Sequence, residues 1–358
     1  MFWEGIHRHR SENPVNLAAS MVREHDTKAD SYLVTWTVQP GEVGMRLDLF
    51  LKEKYRKLSR EYLQKSIKDG NVTLNHKSTK PSQVLRDQDK VFVLSKKGDE
   101  PEVDFAYKIL FQDEDVLVID KPGNLPVHPS GRYFFHTLLT QLRVENGNEV
   151  DQKKEFYIVH RIDRETSGVL VVGKNPAAAA SLVSQFEQRK TNKEYLAVVK
   201  GVVEQNVFEV NAPMARDPRS EIRLKMHVAE LDPTGEPLYV PRSELLPALT
   251  QFEVVERLQG FTILKCKPHT GRQHQIRVHL HHLGHPIAGD KLYGTDASLF
   301  LRSMQEILAL PVGDGLWLKR HALHAHRLEF SHPKTQERMS FSSPLPPELD
   351  DFVKKVRG

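Results

Sequence analysis

Val34, Trp36 and Val38 alternate with Thr35 and Thr37, the period-two pattern of a half-buried strand, and the pattern extends back to Tyr32. Gly41 and Gly44 separate this strand from Met45 to Leu51, where the apolar residues take helical spacing. After a turn near Lys57, Ser59 is placed to cap a second helix over Arg60 to Asp69. Leu63 and Ile67 lie four residues apart on one face of that helix, and Gly70 stands just past its end. Val72 and Leu74 then alternate with polar neighbours, and Asp87-Gln88-Asp89 leads into a strand over Val91 to Leu94. Ahead of this segment, residues 1 to 30 are polar and irregular, which predicts a loosely held tail. Behind it, Ser95 to Glu102 is rich in Lys, Gly, Glu and Pro and marks a boundary.

The rest of the chain carries unbroken apolar runs, Val116 to Ile119, Phe156 to Val159, Val169 to Val172 and Tyr195 to Val199, the mark of buried strands. Helices fall between them. Asn175 and Pro176 suit the N-cap and first position of a helix that continues through Ala177 to Ala180 as far as about Arg189. Gln275 to Leu283 predicts another, turning Ile276, Leu280 and Leu283 inward and stopped by Gly284 and Pro286. The larger part of the chain therefore mixes sheet and helix, with no internal repeat and no glycine-rich phosphate loop.

Composition adds a division of charge. A length of 358 residues suits one large domain and one smaller. Hydrophobic residues make up 39% and charged residues 27%, and no apolar stretch nears the roughly 20 residues that cross a bilayer, so a soluble protein off the membrane is expected. The opening residues lack the apolar core of a secretory signal. The single cysteine, Cys266, excludes a disulfide framework, a Cys-rich zinc site and an iron–sulfur cluster, so a reducing cytoplasm is expected. Net charge is only +4, but Arg46 to Lys97 holds 14 Lys and Arg against 6 Asp and Glu, a surplus of +8 that leaves −4 for the remainder. A basic segment joined to a near-neutral body suits a module that grips a polyanion beside one that acts on it; a solvated, charge-rich face is the plainer alternative. Arg56, Lys57, Arg60, Lys65 and Lys68 are the candidate phosphate contacts.

The most unusual stretch is "HRIDRETSG", residues 160–168, a polar cluster between two apolar runs. In an extended segment Arg161 and Asp163 point to the same side. A carboxylate beside cations stays ionised, which makes Asp163 a poor proton donor but a good nucleophile or base. A surface ion pair is the commoner meaning of Arg-x-Asp. Its position at the junction of buried strands, with Thr166-Ser167-Gly168 supplying a close turn, favours chemistry.

"HRIDRETSGVLVV" resembles the catalytic signature of the RluA-type pseudouridine synthases, usually His-Arg-Leu-Asp followed by Thr-Ser-Gly. Asp120-Lys121-Pro122-Gly123 with Val127-His128-Pro129, then Lys193-Glu194-Tyr195-Leu196-Ala197, then Gly271 to His279, then "GHPIAGDKLYG" at 284–294 and Leu323-His324-Ala325 resemble further motifs of that family, in its order. Ile162 replaces the usual Leu, a volume-conserving change. Pro237 to Pro247 looks like an insertion, which puts substrate contacts near it in doubt. The basic segment resembles the small RNA-binding domain first known from ribosomal protein S-four, through "MRLDLFL", "SREYLQKSIKDGNVTLNHK" and "DQDKVFVL", although Gln88-Asp89 stands where that family often has Gly-Asp.

These resemblances imply an α+β fold, in which a mixed, mainly antiparallel sheet forms a catalytic domain over 105–350. A linker at 98–104 would join it to a small N-terminal α/β RNA-binding domain over 40–97, with 1–39 as an extension. They imply isomerisation of uridine within structured RNA, without cofactor or metal. Asp163 would be the essential carboxylate. Tyr195 would stack on the uracil, although its pattern alone suggests a core tyrosine. Arg277 would pair with the acid, and Arg161 would fill the space left by the flipped base. His160, Arg164, Arg272 and His274 are added as RNA contacts, His160 more as a brace for the loop than as a base. His274, His279, His281, His282 and His285 would have to gather to support the competing reading of a metal hydrolase, and their spacing does not favour it. Large-subunit ribosomal RNA is the leading substrate, with tRNA, or a non-catalytic ribosome-assembly role, as alternatives. A monomer is expected.

Overall fold

A computed structural model describes residues 21–26, 31–55, 59–96, 100–130, 133, 136–146, 156–294, 299–300 and 317–358. The chain divides into two units, Met1–Glu100 and Pro101–Gly358.

The first unit is a five-stranded antiparallel sheet with two helices. In chain order its elements are β1 (Met21–Asp26), β2 (Ser31–Thr37), α1 (Leu47–Lys54), α2 (Arg60–Lys68), β3 (Val72–Leu74), β4 (Lys77–Ser78) and β5 (Lys90–Lys96), and the strands run in the order β1-β2-β5-β3-β4. Ser59 caps α2 as expected, its hydroxyl accepting the N–H of Tyr62. Leu63 and Ile67 are buried on one face, and Gly70 follows the helix at φ +78. Gln88 sits at φ +62, a left-handed conformation that glycine adopts at less cost.

The expected tail is corrected in part. Met21–Asp26 forms an edge strand, with Met21 opposite Trp36 and Asp26 opposite Ser31, so β1 and β2 belong to the same sheet as the helices' partners. Its charged residues carry no apolar alternation, and edge strands commonly carry charge, which is why the pattern hid it. Residues 1–20 lie outside the described residues.

The second unit is built on a ten-stranded sheet. Its strands are β6 (Lys108–Gln112), β7 (Val116–Lys121), β8 (Tyr157–Ile158), β9 (Ser167–Gly173), β10 (Asn192–Lys200), β11 (Val207–Asn211), β14 (Leu249–Leu258), β15 (Phe261–Pro268), β16 (Leu323–Ser331) and β17 (Arg338–Ser342), with a separate ribbon of β12 (Met214–Arg216) and β13 (Met226–Val228). The order is β11-β14-β15-β10-β16-β9-β7-β6, with β17 on β16 and β8 on β9. All pairs are antiparallel except β9 and β16, which meet in parallel at Ser167 and Gly168. The helices are α3 (Leu138–Asn146), α4 (Pro176–Glu187), α5 (Gln275–His282) and α6 (Pro347–Arg357).

The unbroken apolar runs arise because β7 and β9 are buried on both faces. Leu117, Ile119, Leu170 and Val172 pack with Leu138 and Leu142 of α3, while Val116, Val118, Val169 and Val171 pack with Leu182 of α4. Asn175 caps α4 by accepting the N–H of Ala178 at 2.8 Å, as its sequence predicts. One expectation fails: Leu283 is 40% exposed, because α5 ends at His282 and Gly284 turns the chain away at φ +80.

Candidate active site

The loop between β8 and β9 carries Asp163, and several buried groups fix it. Lys121 directs its ammonium to three carbonyls, those of Pro122 at 2.8 Å, Leu125 at 2.9 Å and Arg164 at 3.1 Å, matching its three N–H donors. The N–H of Thr166 donates to the Asp163 carbonyl at 3.1 Å and closes the turn. Thr166 and Ser167 hydroxyls meet His321 Nε2 at 2.8 Å and His324 Nδ1 at 2.9 Å. Gly168 lies at φ +112, and a Cβ there would fall 2.2 Å from the Ala325 carbonyl oxygen. The Thr-Ser-Gly sequence is therefore needed where β9 runs against β16.

The cation beside Asp163 comes from 114 residues away. Arg277 Nη1 donates to Asp163 Oδ2 at 2.8 Å, while its Nε and Nη2 donate to the two oxygens of Asp290 at 2.6 and 2.9 Å. Asp290 Oδ1 also accepts the N–H groups of Leu292 and Tyr293. Burial alone would raise the Asp163 carboxyl, but His274 and Arg277, with His321 behind them, outweigh it and hold it well below the usual carboxylate range, the two imidazoles contributing only at the acid pH where they are protonated. At neutral pH the two imidazoles are uncharged, since burial lowers His274 to about 4 and His321 to about 3, so Arg277 remains the local cation.

Asp163, Arg277 and Tyr195 line one cavity of about 780 Å³, together with Arg161, His160, Lys193, Arg272 and His274. Tyr195 follows a bulge in β10 between Glu194 and Tyr195, and burial with the nearby Asp163 charge raises its phenol. Lys193, two residues earlier on the same strand, is lowered to about 8, chiefly by burial and then by Arg189.

Several expected contacts are placed differently. Arg161 donates to His128 at 3.0 Å, not to Asp163. Arg164 does not line the cavity; it is bound to Glu165 at 2.7 Å, to Asn124 and to the Tyr133 hydroxyl, so it ties the protein to itself rather than standing open to RNA. His160 Nε2 accepts the N–H of Val171 at 3.1 Å and its ring stacks on Phe186, which makes it a brace. Arg272 donates through Nε to the Pro247 carbonyl at the cavity edge. His274 lies within the site, Nε2 4.0 Å from Asp163 Oδ1, not on an outer phosphate face. In the first unit, Lys65 and Lys68 are exposed on α2, whereas Arg60 pairs with the buried Asp48 at 2.8 Å. Arg56 and Lys57 lie outside the described residues.

The candidate histidines in and after α5 do not gather into a ligand set among the described residues: His279 meets Thr250 and the Ala212 carbonyl, and His285 meets the Lys200 carbonyl. Asp113, Asp115 and His332 do cluster. However, His332 Nδ1 accepts the N–H groups of Lys334 and Thr335, which puts its proton on Nε2 and directs it to Asp113 at 2.9 Å. That ring offers a cation no lone pair.

Asp290, Tyr293 and Lys121 went unassigned at the level of sequence. Asp290 and Tyr293 stand in "GDKLYG", where a carboxylate 13 residues after Arg277 was the available signal.

Comparison with known proteins matches residues 115–282 to the family model described as RNA pseudouridylate synthase and residues 45–91 to the S4 domain. The chain is 35% identical to "Ribosomal large subunit pseudouridine synthase D" of Xanthomonas campestris pv. campestris, over 92% of this chain and 94% of that protein. It is also 35% identical to an "Uncharacterized RNA pseudouridine synthase" of Aquifex aeolicus, over 83% and 89%. The solved structure of "Human RNA Pseudouridylate Synthase Domain Containing 4" superposes with a TM-score of 0.54 at 26% identity, covering 70% of this chain and 92% of that one.

Proposed function

The chain belongs to the RNA pseudouridylate synthase family and is an isomerase of uridine in RNA, and we propose that its target lies in large-subunit ribosomal RNA, with Asp163 as the essential carboxylate. The observation that carries this is the ion pair of Asp163 and Arg277 in a cavity that Tyr195 also lines. The reaction breaks the bond from N1 to C1′, turns the uracil, joins C5 to C1′, and releases the C5 proton while N1 takes one up. Attack of a carboxylate on C1′ and removal of the C2′ proton to give a glycal both need an ionised acid, which Arg277 supplies by keeping Asp163 charged. Tyr195 stacks on the base and its hydroxyl assists loss of the C5 proton. A phenol whose pKa is raised keeps its proton at neutral pH, so that hydroxyl acts within a hydrogen-bonded chain rather than as a free phenolate. A uridine stacked in RNA must be flipped to reach this depth, at about a few kcal/mol, and Arg161 at the mouth is suited to fill the vacated space.

The name of the Xanthomonas relative supports the ribosomal target. The S4 domain, with Lys65 and Lys68 exposed on α2, supports a grip on structured RNA. The enzyme acts as a monomer in a reducing cytoplasm, where Cys266 remains a buried thiol. The test is to incubate an unmodified bacterial large-subunit ribosomal RNA transcript, labelled with tritium at uridine C5, with the protein and to map the new pseudouridines. Release confined to a few positions is expected. Release from tRNA but not from this transcript would reassign the substrate, and release from neither would remove the reading.

A further inference from the structure

The two oxygens of Asp163 have different surroundings. Oδ2 receives an N–H of Arg277 at 2.8 Å, whereas none of the described residues donates to Oδ1, which faces Nε2 of His274 at 4.0 Å. Which nitrogen of His274 carries its proton follows from a buried relay. Tyr293, 1% exposed, accepts the N–H of Met226 on its hydroxyl oxygen at 2.9 Å, and the same oxygen lies 2.8 Å from His274 Nδ1. The hydroxyl proton needs an acceptor, because a buried donor left unpaired is costly, and Nδ1 is the one acceptor it meets among the described residues. Nδ1 therefore accepts. The neutral ring carries its proton on Nε2, the nitrogen turned towards the carboxylate.

The ring is held there firmly. His274 occupies φ +59 at the start of α5, an uncommon conformation for a residue with a side chain, and its ring packs edge-on against Tyr293 with centroids 5.5 Å apart. Tyr293 also lies under the Arg277 guanidinium, 5.0 Å from the ring centroid, so one phenol supports both groups that face Asp163.

An N–H and a carboxylate oxygen 4.0 Å apart do not bond each other. A single hydroxyl about 2.8 Å from each satisfies both, accepting from Nε2–H and donating to Oδ1 with an angle of about 90° at its oxygen. The target ribose has such a group on the carbon next to C1′, the atom Asp163 must approach. We infer that His274 Nε2–H and Asp163 Oδ1 form a subsite for the 2′-hydroxyl of the target nucleotide, so that the enzyme demands ribose, not deoxyribose, at the position it modifies. This rests on the synthase reading above. It makes His274 a specificity-determining residue and Tyr293 the positioning residue that sets its tautomer. The 2′-hydroxyl is the group by which a protein distinguishes RNA from DNA at one site.

The test uses two transcripts of bacterial large-subunit ribosomal RNA. One carries trace uridine tritiated at C5 and the other trace 2′-deoxyuridine tritiated at C5, each at a density too low to alter the RNA fold. The native protein should release tritium from the ribo transcript at least about 10-fold faster. His274→Asn keeps a residue that tolerates positive φ but draws the donor back. It should lose about 10-fold more rate on the ribo than on the deoxy transcript, so that the preference collapses to within about twofold. Tyr293→Phe frees the tautomer and should reduce the preference in the same direction by about 2- to 5-fold, which provides a second variant if the first does not fold. Equal losses on both transcripts in both variants, or no preference in the native protein, would overturn the subsite while leaving the synthase reading in place. No release from either transcript by the native protein overturns the synthase reading, and the subsite falls with it.

Discussion

Replacing Arg277 by Gln should move the acid limb of the reaction's pH profile upwards, because at neutral pH this guanidinium is the cation that keeps Asp163 ionised. Opposite charges about 4 Å apart at an effective dielectric near 20 interact by about 4 kcal/mol. Arg277 divides its charge between Asp163 and Asp290, so the expected displacement is about 1 to 3 pH units. In the variant, two carboxylates share a buried region with no cation between them, and each favours its protonated form. The same logic fixes the sign for stability. A carboxyl whose folded pKa lies below its unfolded value stabilises the fold above about pH 4 and loses that contribution as pH falls through the folded value. Removing one partner of a buried pair costs about 3–5 kcal/mol, so the fold must be checked by circular dichroism, and Arg277→Lys serves as a companion that keeps a cation without the planar fork. The assay is single-turnover tritium release between about pH 3 and 8, with folding checked at each pH, because the native limb lies below the ordinary carboxylate range near about 4 and the displaced limb falls close to it. A Gln variant that is folded and slower, yet titrates at the native pH, would refute the assignment of Arg277 as the group that sets the charge on Asp163.

Two further outcomes follow from the surrounding geometry. Gly168→Ala would place a Cβ 2.2 Å from the Ala325 carbonyl at φ +112, and should lower stability by at least about 3 kcal/mol in denaturant titration; a change within about 0.5 kcal/mol would mean that β9 and β16 can separate cheaply. Lys193, lowered to about 8 by burial and Arg189, loses its positive charge as pH rises through that value, so RNA affinity should weaken between about pH 7 and 9. Lys193→Gln should bind more weakly at pH 7 and show little further change; an unaltered pH slope in filter binding would place the titrating group elsewhere.

Much of this fold is legible in local pattern. Ser59 and Asn175 cap their helices as their spacing predicts, and the continuous apolar runs at β7 and β9 are those of strands covered on both faces. Met21–Asp26 escaped because its sequence, MVREHD, has no apolar alternation, although backbone pairing places it beside β2. Within the site, Asp163 stands out by its polar setting between apolar runs, but its partner could not be read from the neighbours. Arg161 and Arg164 flank it in sequence, yet they bind His128 and Glu165, and the cation arrives from α5. The tautomer of His274 depends on Tyr293 and Met226, residues brought together only by tertiary structure.

The most direct measurement compares tritium release from uridine-labelled large-subunit ribosomal RNA by the native protein and by Asp163→Asn. This variant keeps the side-chain shape and removes the charge that Arg277 holds. Release should fall by at least about 10⁴-fold, with RNA affinity and melting temperature close to native. A folded Asp163→Asn protein that releases tritium within about tenfold of the native rate would contradict the account, since the carboxylate at residue 163 would then not perform the chemistry.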